Sequence, residues 1–382
     1  MGNFISNCGT WIQNLAQAVL VFRLTGSTFL VGVVGFAQFA AIVVLLPWTG
    51  SVADRFDRRR LIIVTQVAAA LITLGLGLLS VAGLASVPVV IVIALLLGVT
   101  TAFVAPAMGA LVPELVEPEE LRPAVALNSF TFGAGRAIGP IIGAALVSQS
   151  VSVAFLANSL SYVALIVALF ISRPIHREQH DGEVHAPGFR AGLKFVRAKP
   201  LLVMLLLTVA AIAIATDPVA TLGPAFAEDL LGRPDSFAGL LGGSFGAGAM
   251  IATLLVARRA TVDDGPVEAA VLVMVIAGVA FALASSPAMA LIALFVMGMS
   301  FAAANAFATT SLQLHTPAAT RGRVMALWSL AFLGVRPFAS LTDGALATVV
   351  GLRVAAIAMM VPALCVLGPL SRVLRSAKSD SD

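Results

Sequence analysis

Between two stretches without a single ionisable side chain, residues 27–48 and 61–84, stand Asp54, Arg55, Asp57, Arg58, Arg59 and Arg60 within seven positions. Each apolar stretch is as long as a helix that crosses roughly 30 Å of hydrocarbon. The charges between them cannot lie in hydrocarbon, where each would cost several kcal/mol. The segment from Gly50 to Arg60 must therefore be a tight aqueous turn joining two membrane-spanning helices. Composition agrees, with 59% hydrophobic and 11% charged residues, where a soluble domain carries about 25% charged. The chain reads as an all-α polytopic membrane protein.

Twelve apolar blocks are legible, at residues 2–22, 27–48, 61–84, 88–109, 123–147 and 153–171, then 201–222, 237–256, 266–284, 288–312, 324–349 and 354–370. Residues 172–200 form the long hydrophilic connection, so the expected division is a six-helix bundle over 1–171, a linker, a second bundle over 201–370 and a tail over 371–382. With both termini on one side, 18 of the 23 lysines and arginines fall in loops on that side, which the positive-inside rule makes cytoplasmic. His176, His180, His185 and Glu183 belong to the linker and read as solvated chain; no metal or other cofactor is expected. The linker's end, with Phe189, Leu193 and Val196 on one helical face and Arg190, Lys194 and Arg197 elsewhere, predicts a short helix along the inner membrane surface. The net charge of +4 is dispersed through short loops, which argues against nucleic acid. Cys8 and Cys365 lie in apolar runs and suggest no disulfide. Without a His or Cys constellation or a serine beside a buried base, the chain is not read as an enzyme.

An internal repeat supports the division. At an offset of 200 residues, Ala126, Leu127, Ser129, Phe132 and Arg136 recur as Ala326, Leu327, Ser329, Phe332 and Arg336, and Arg58 and Arg59 recur as Arg258 and Arg259.

The turn resembles the signature loop of the major facilitator superfamily, Gly-x-x-x-Asp-Arg-x-x-Arg-Arg, with Gly50, Asp54, Arg55, Arg58 and Arg59 on the motif. Asp57 stands where the family more often has Gly. The resemblance implies a fold of two pseudo-symmetric six-helix bundles. It also implies a conformational latch, in which Asp54 meets the start of the eleventh span near Arg321 and Arg323. An anionic Asp suits a helix N-terminus. Span 5 carries Gly133, Gly135, Arg136, Gly139, Pro140 and Gly143, with Asn128 and Ser129 before them. This is similar to the Gly-Pro motif of the superfamily's siderophore and multidrug exporters, related to the enterobactin exporter, although Ala126 stands near where the fuller motif has another Gly. Small residues four apart let helices pack closely in any case; the resemblance adds a role in the direction of transport. The runs Phe155–Ser159 and Arg321–Ala326 resemble the same group. Such transporters usually have a short basic arm before span 1; here Met1 almost opens it, which leaves open whether the true start lies upstream.

Ionisable residues inside the membrane are functional candidates by default. Arg136 and Arg336 lie 13 or 14 residues into their spans, roughly 18–20 Å deep at about 1.5 Å per residue. Asp217 precedes Pro218 in span 7, which predicts a broken helix beside a carboxylate. Asp343 lies near the outer end of span 11, and Glu268 near the inner end of span 9. If protons drive transport, Asp217 is the first candidate carrier and Asp343 the next; the other reading is that either acid neutralises an arginine. In span 1, Asn3, Ser6, Thr10, Gln13 and Gln17 share one face, which predicts a hydrated cavity or a buried helix contact. Thr10, Gln13, Gln17, Asn128, Asn305 and Arg336 are accordingly expected at the substrate cavity, with Gln38 as a further polar side chain. Together these features predict a monomeric secondary transporter in a bacterial inner membrane. It would export a small amphipathic molecule by alternating access and proton antiport, with protons and the lipid bilayer as its other partners. A passive uniporter or a non-transporting sensor would share the span count.

Overall fold

The computed structural model describes residues 1–172, 189–257 and 266–379, nearly all of them helical. The first half comprises α1 (Gly2–Thr25), α2 (Thr28–Arg55), α3 (Arg58–Val81), α4 (Val87–Leu111), α5 (Leu121–Gln149) and α6 (Val151–Ile171). A nine-residue α7 (Phe189–Arg197) leads into α8 (Pro200–Ala215), α9 (Pro218–Thr221) and α10 (Gly223–Ala225). The remainder is α11 (Ala238–Ala257), α12 (Val267–Ala282), α13 (Pro287–Leu314), α14 (Ala318–Leu333), α15 (Arg336–Val350), α16 (Leu352–Ala358) and α17 (Val361–Ser379). Ten described stretches are long and apolar enough to cross a membrane; α12 is a shorter apolar helix. The polar stripe of α1 lowers its hydropathy without changing its place in the bundle.

Boundaries follow local chemistry. Gly26 ends α1 at φ 63°, in the left-handed region, and its N–H reaches the Phe22 carbonyl at 2.7 Å. The Ser27 hydroxyl then caps α2 by accepting from the Leu30 N–H. Asp57, the residue that departs from the facilitator loop pattern, accepts from the Arg60 N–H at 2.8 Å and caps α3. An acidic cap suits a helix that opens on three arginines.

Spans 7, 11 and 12 are interrupted. The eleventh, expected as one helix over 324–349, breaks at Gly334 and Val335, so Arg336 opens α15 instead of lying mid-helix. Pro337 explains the break, because its ring would collide with the carbonyl of Leu333 four residues earlier, the last residue of α14. Pro218 acts likewise on the turn ending at Ala215, producing the interruption expected at Asp217, and Pro362 separates α16 from α17. By contrast, α5 runs through Pro140 without a break.

Buried side chains such as Val19, Leu76 and Phe155 form the core of the first half, while Leu205, Ile212, Leu241 and Met274 belong to a separate cluster in the second. Large apolar side chains also cover the exterior, Leu160 at 70% and Val349 at 81% exposure among them. In water that surface would aggregate; facing lipid it is solvated. The halves meet along α2 with α15 and α5 with α11. Both contacts need glycine. A Cβ on Gly32 would strike the Ser340 carbonyl, and one on Gly239 the Pro140 carbonyl. One end of this interface is fastened by Arg23, whose Nε and Nη2 donate to the Asp235 carboxylate at 2.5 and 2.7 Å. Thr28 donates to the Gly344 carbonyl at the same end.

Candidate functional site

Between the halves lies a cavity of about 150 Å³, lined in part by Trp11, Gln17, Gln38, Arg136, Asp217 and Arg336. Arg136 projects from α5 into an aromatic box, its Cζ 5.2 Å from the Trp11 ring, 4.8 Å from Phe245 and 5.1 Å from Phe301. Arg336, its partner in the internal repeat, lies 5.3 Å from Phe39 and 4.9 Å from Phe332. The boxes adjoin, since Phe301 and Phe332 are 6.3 Å apart and Trp328 stacks on Phe332. A ring face attracts a desolvated cation by up to about 2 kcal/mol without occupying its hydrogen-bonding edge. Each guanidinium is thus held in place while its N–H groups stay available to a ligand.

The two arginines differ in their surroundings. Asp217, only 6% exposed, lines the cavity in the break between α8 and α9, and its Oδ2 accepts from the Thr221 hydroxyl at 3.1 Å. Arg336 is the charge acting most strongly on it, though the two form no direct ion pair. Arg136 feels Arg336 and no carboxylate among the described residues. Asp343 lies fully buried in α15 outside the cavity lining, with both carboxylate oxygens unpartnered and Asp217 as its electrostatic neighbour.

The polar stripe of α1 divides. Gln17 lines the cavity, its amide buried without a partner. Thr10 and Gln13, expected there too, are not among the lining residues. Thr10 donates to the Ser6 carbonyl, and Gln13 accepts from Asn158 of α6 at 3.1 Å, because that face of α1 packs against α6. Asn128 is likewise taken up, accepting from Asn3 at 2.8 Å, and Asn305 is not among the lining residues. Gln38 donates to Asn14 at 3.2 Å, and both face the cavity. The exporter-motif glycines lie against α1: a Cβ on Gly135 would meet Asn7, on Gly139 Cys8 and Trp11, and on Gly143 Leu15. Pro140 lines the cavity and touches Gly239 and Gly242 of α11.

At the loop motif, Arg58 donates to Glu114 at 2.5 Å, and Arg59 donates to the Phe170 carbonyl at 3.3 Å. The side chains of Asp54 and Arg55, and Gly50 with them, lie outside the described residues, as do Arg258, Arg259 and the linker histidines. Arg321 is exposed, and Arg323 rests against Gly192 of α7. Val196 of α7 is buried in the second-half core, so this helix is anchored to the bundle through α8 and α14 rather than by lipid alone.

The sequence reading named both arginines and both acids but none of the aromatic walls. Trp11 follows Thr10 by one position and so falls off the stripe, while Phe245 and Phe301 look like ordinary span residues. Only Phe332 carried a signal, as a member of the repeat.

Helices with three proline-broken spans thus surround a central polar cavity, and solved structures share this fold. The nucleoside transporter NupG has a TM-score of 0.76 at 10% identity over 98% of this chain and 97% of its own. An inward-facing, occupied bacterial homologue of the human lysosomal transporter Spinster scores 0.74 at 17% identity, covering 98% and 95%. The profile of the transmembrane secretion effectors matches residues 1–381, and the chain belongs to that family of the superfamily. The staphyloferrin A transporter of Staphylococcus aureus is 29% identical over 46% of this chain, a match spanning less than half of that relative's length (44%). The enterobactin exporter EntS of Shigella boydii is 27% identical over 86% of this chain and 79% of its own. The chain is thus a multi-pass helical member of that family.

Proposed function

We propose that the chain exports a small amphipathic acid, of the siderophore class, across a bacterial inner membrane by alternating access and proton antiport. The observation that carries this reading is Arg136, a guanidinium held by three aromatic rings and free of any carboxylate at the cavity wall. Such a group suits an acidic cargo with apolar or aromatic parts. The relatives named for staphyloferrin A and enterobactin agree with that chemistry. Antiport requires proton and cargo to compete. An anion alone would not compete, because protonating Asp217 would only free Arg336 to bind it. Competition arises if the cargo's acidic end meets Arg136 while its hydrogen-bond donors meet the Asp217 carboxylate; a proton on Asp217 then removes their acceptor. In this reading residues 1–171 and 201–370 move as two bundles, with Gly50, Asp54, Arg55, Arg58 and Arg59 latching onto the Arg321–Arg323 end. The Arg23–Asp235 bond closes the external end.

Deleting the gene is expected to lower the iron-chelating activity secreted into the medium and to raise it inside the cell. Dissipating the proton gradient in wild-type cells should reproduce that loss. Unchanged secretion after deletion would remove siderophores as cargo; secretion indifferent to the gradient would favour a passive uniporter.

Orientation has its own test. Single cysteines placed within residues 177–188 are expected to react with a membrane-impermeant maleimide in inside-out vesicles and not in intact spheroplasts, because the basic loops are retained in the cytoplasm. The reverse labelling would invert the topology.

A further inference from the structure

Asp343 has no role in cargo contact, yet it is the most completely buried acid of the described chain, at 0% exposure with neither oxygen hydrogen-bonded. A charged carboxylate left unpaired in such a site costs several kcal/mol. Its environment offers no cation to offset that. On its own helix, Arg336 lies seven residues away at the opposite end of two turns, beside Asp217. α2 carries no titratable side chain between Thr28 and Ala53, and neither α8 nor α9 carries any. On α16, Arg353 donates to the Ala284 carbonyl, while Arg321 and Arg323 lie at the far end of α14. The titratable group that faces Asp343 is another acid, Asp217.

The register of α15 orders the two. Asp217 lies against Ser340, a cavity-lining residue, and Asp343 follows one helical turn further on, about 4.5 Å along the axis. That turn leads away from the cavity, toward Gly344 and its contact with Thr28, at the end fastened by Arg23 and Asp235. Asp217 and Asp343 thus form a series of two buried carboxyl groups running from the cavity toward the Arg23–Asp235 end.

We infer that Asp343 is the proton-entry carboxyl of the transporter, holding a proton between the Arg23–Asp235 end and the cavity and passing it to Asp217. This rests on the antiport reading above and adds the route. In the transfer the Asp343 O–H breaks and an Asp217 O–H forms, so Asp343 takes the negative charge that Asp217 loses. The pair's total charge is unchanged. Asp217 then ceases to accept from the cargo, and Asp343 is reloaded when the Arg23–Asp235 end opens to water.

The test needs no cargo. Infrared spectra of the full-length protein in lipid at neutral pH are expected to contain a protonated-carboxyl C=O band that shifts in D2O. Asp343→Asn should remove it, and Asp343→Glu should keep it at a shifted frequency. Asp217→Asn, which takes away the acceptor, should leave it in place. If Asp343→Asn does not fold, the frequency shift of Asp343→Glu decides alone. A band unmoved by either Asp343 variant, or no band in the wild type, overturns the inference. Loss of the band with no effect of gene deletion on chelator secretion would instead sustain the protonated site and sink the proposed cargo.

Discussion

Asp217→Asn is expected to abolish uphill efflux of the cargo from proteoliposomes under an imposed pH gradient, while exchange of cargo at equal pH continues. The amide oxygen still accepts a hydrogen bond where the carboxylate did, in the break between α8 and α9 beside Thr221. It cannot take up a proton at any pH the cell meets. The cargo therefore binds less tightly, since a charge-assisted bond is replaced by a neutral one, a loss on the order of 1 kcal/mol or about fivefold. What disappears outright is the competition that couples the gradient to transport. Asp217→Glu should restore part of it by returning a titratable group on a longer arm. Wild-type pumping by folded Asp217→Asn protein would place the proton elsewhere and remove Asp217 from the mechanism.

The parts of this site that could be read from sequence are those where chemistry conflicts with surroundings. Arg136, Asp217, Arg336 and Asp343 stand out because a charge in an apolar span needs an explanation. The break at Asp217 was legible because Pro218 follows directly. The break at Arg336 obeys the same rule through Pro337, although the apolar block over 324–349 reads as one span by length alone. Thr10, Gln13 and Asn128 show the limit of the polar-stripe argument. A row of polar residues in a span must avoid lipid, and packing against α5 and α6 achieves that as well as facing a cavity does. Periodicity gives the direction of a face, not what lies opposite. The aromatic box around Arg136 was invisible for a related reason: Trp11, Phe245 and Phe301 come from three spans, and their convergence exists only in the packed bundle.

Arg136→Gln should act on binding and leave coupling alone. The wild-type guanidinium has aromatic faces for neighbours and no carboxylate, so an incoming anion displaces no existing ion pair. A hydrogen bond to a charged group contributes about 1.5–3 kcal/mol, and losing it predicts roughly tenfold to hundredfold weaker affinity. That loss should appear as a raised KM for efflux, with the accumulation ratio at saturating cargo still set by the pH gradient. Arg136→Lys provides the control for geometry. Lysine retains the charge but lacks the planar fork and stacks poorly, so it should recover only part of the affinity. Neither substitution removes a titratable group from the Asp217–Asp343 pair, and the pH dependence of transport should match the wild type. The two series thus separate recognition from energy coupling on one preparation. A wild-type KM in folded Arg136→Gln protein would show that the cargo's acid does not meet this arginine, leaving Arg336 as the anion-binding group of the cavity.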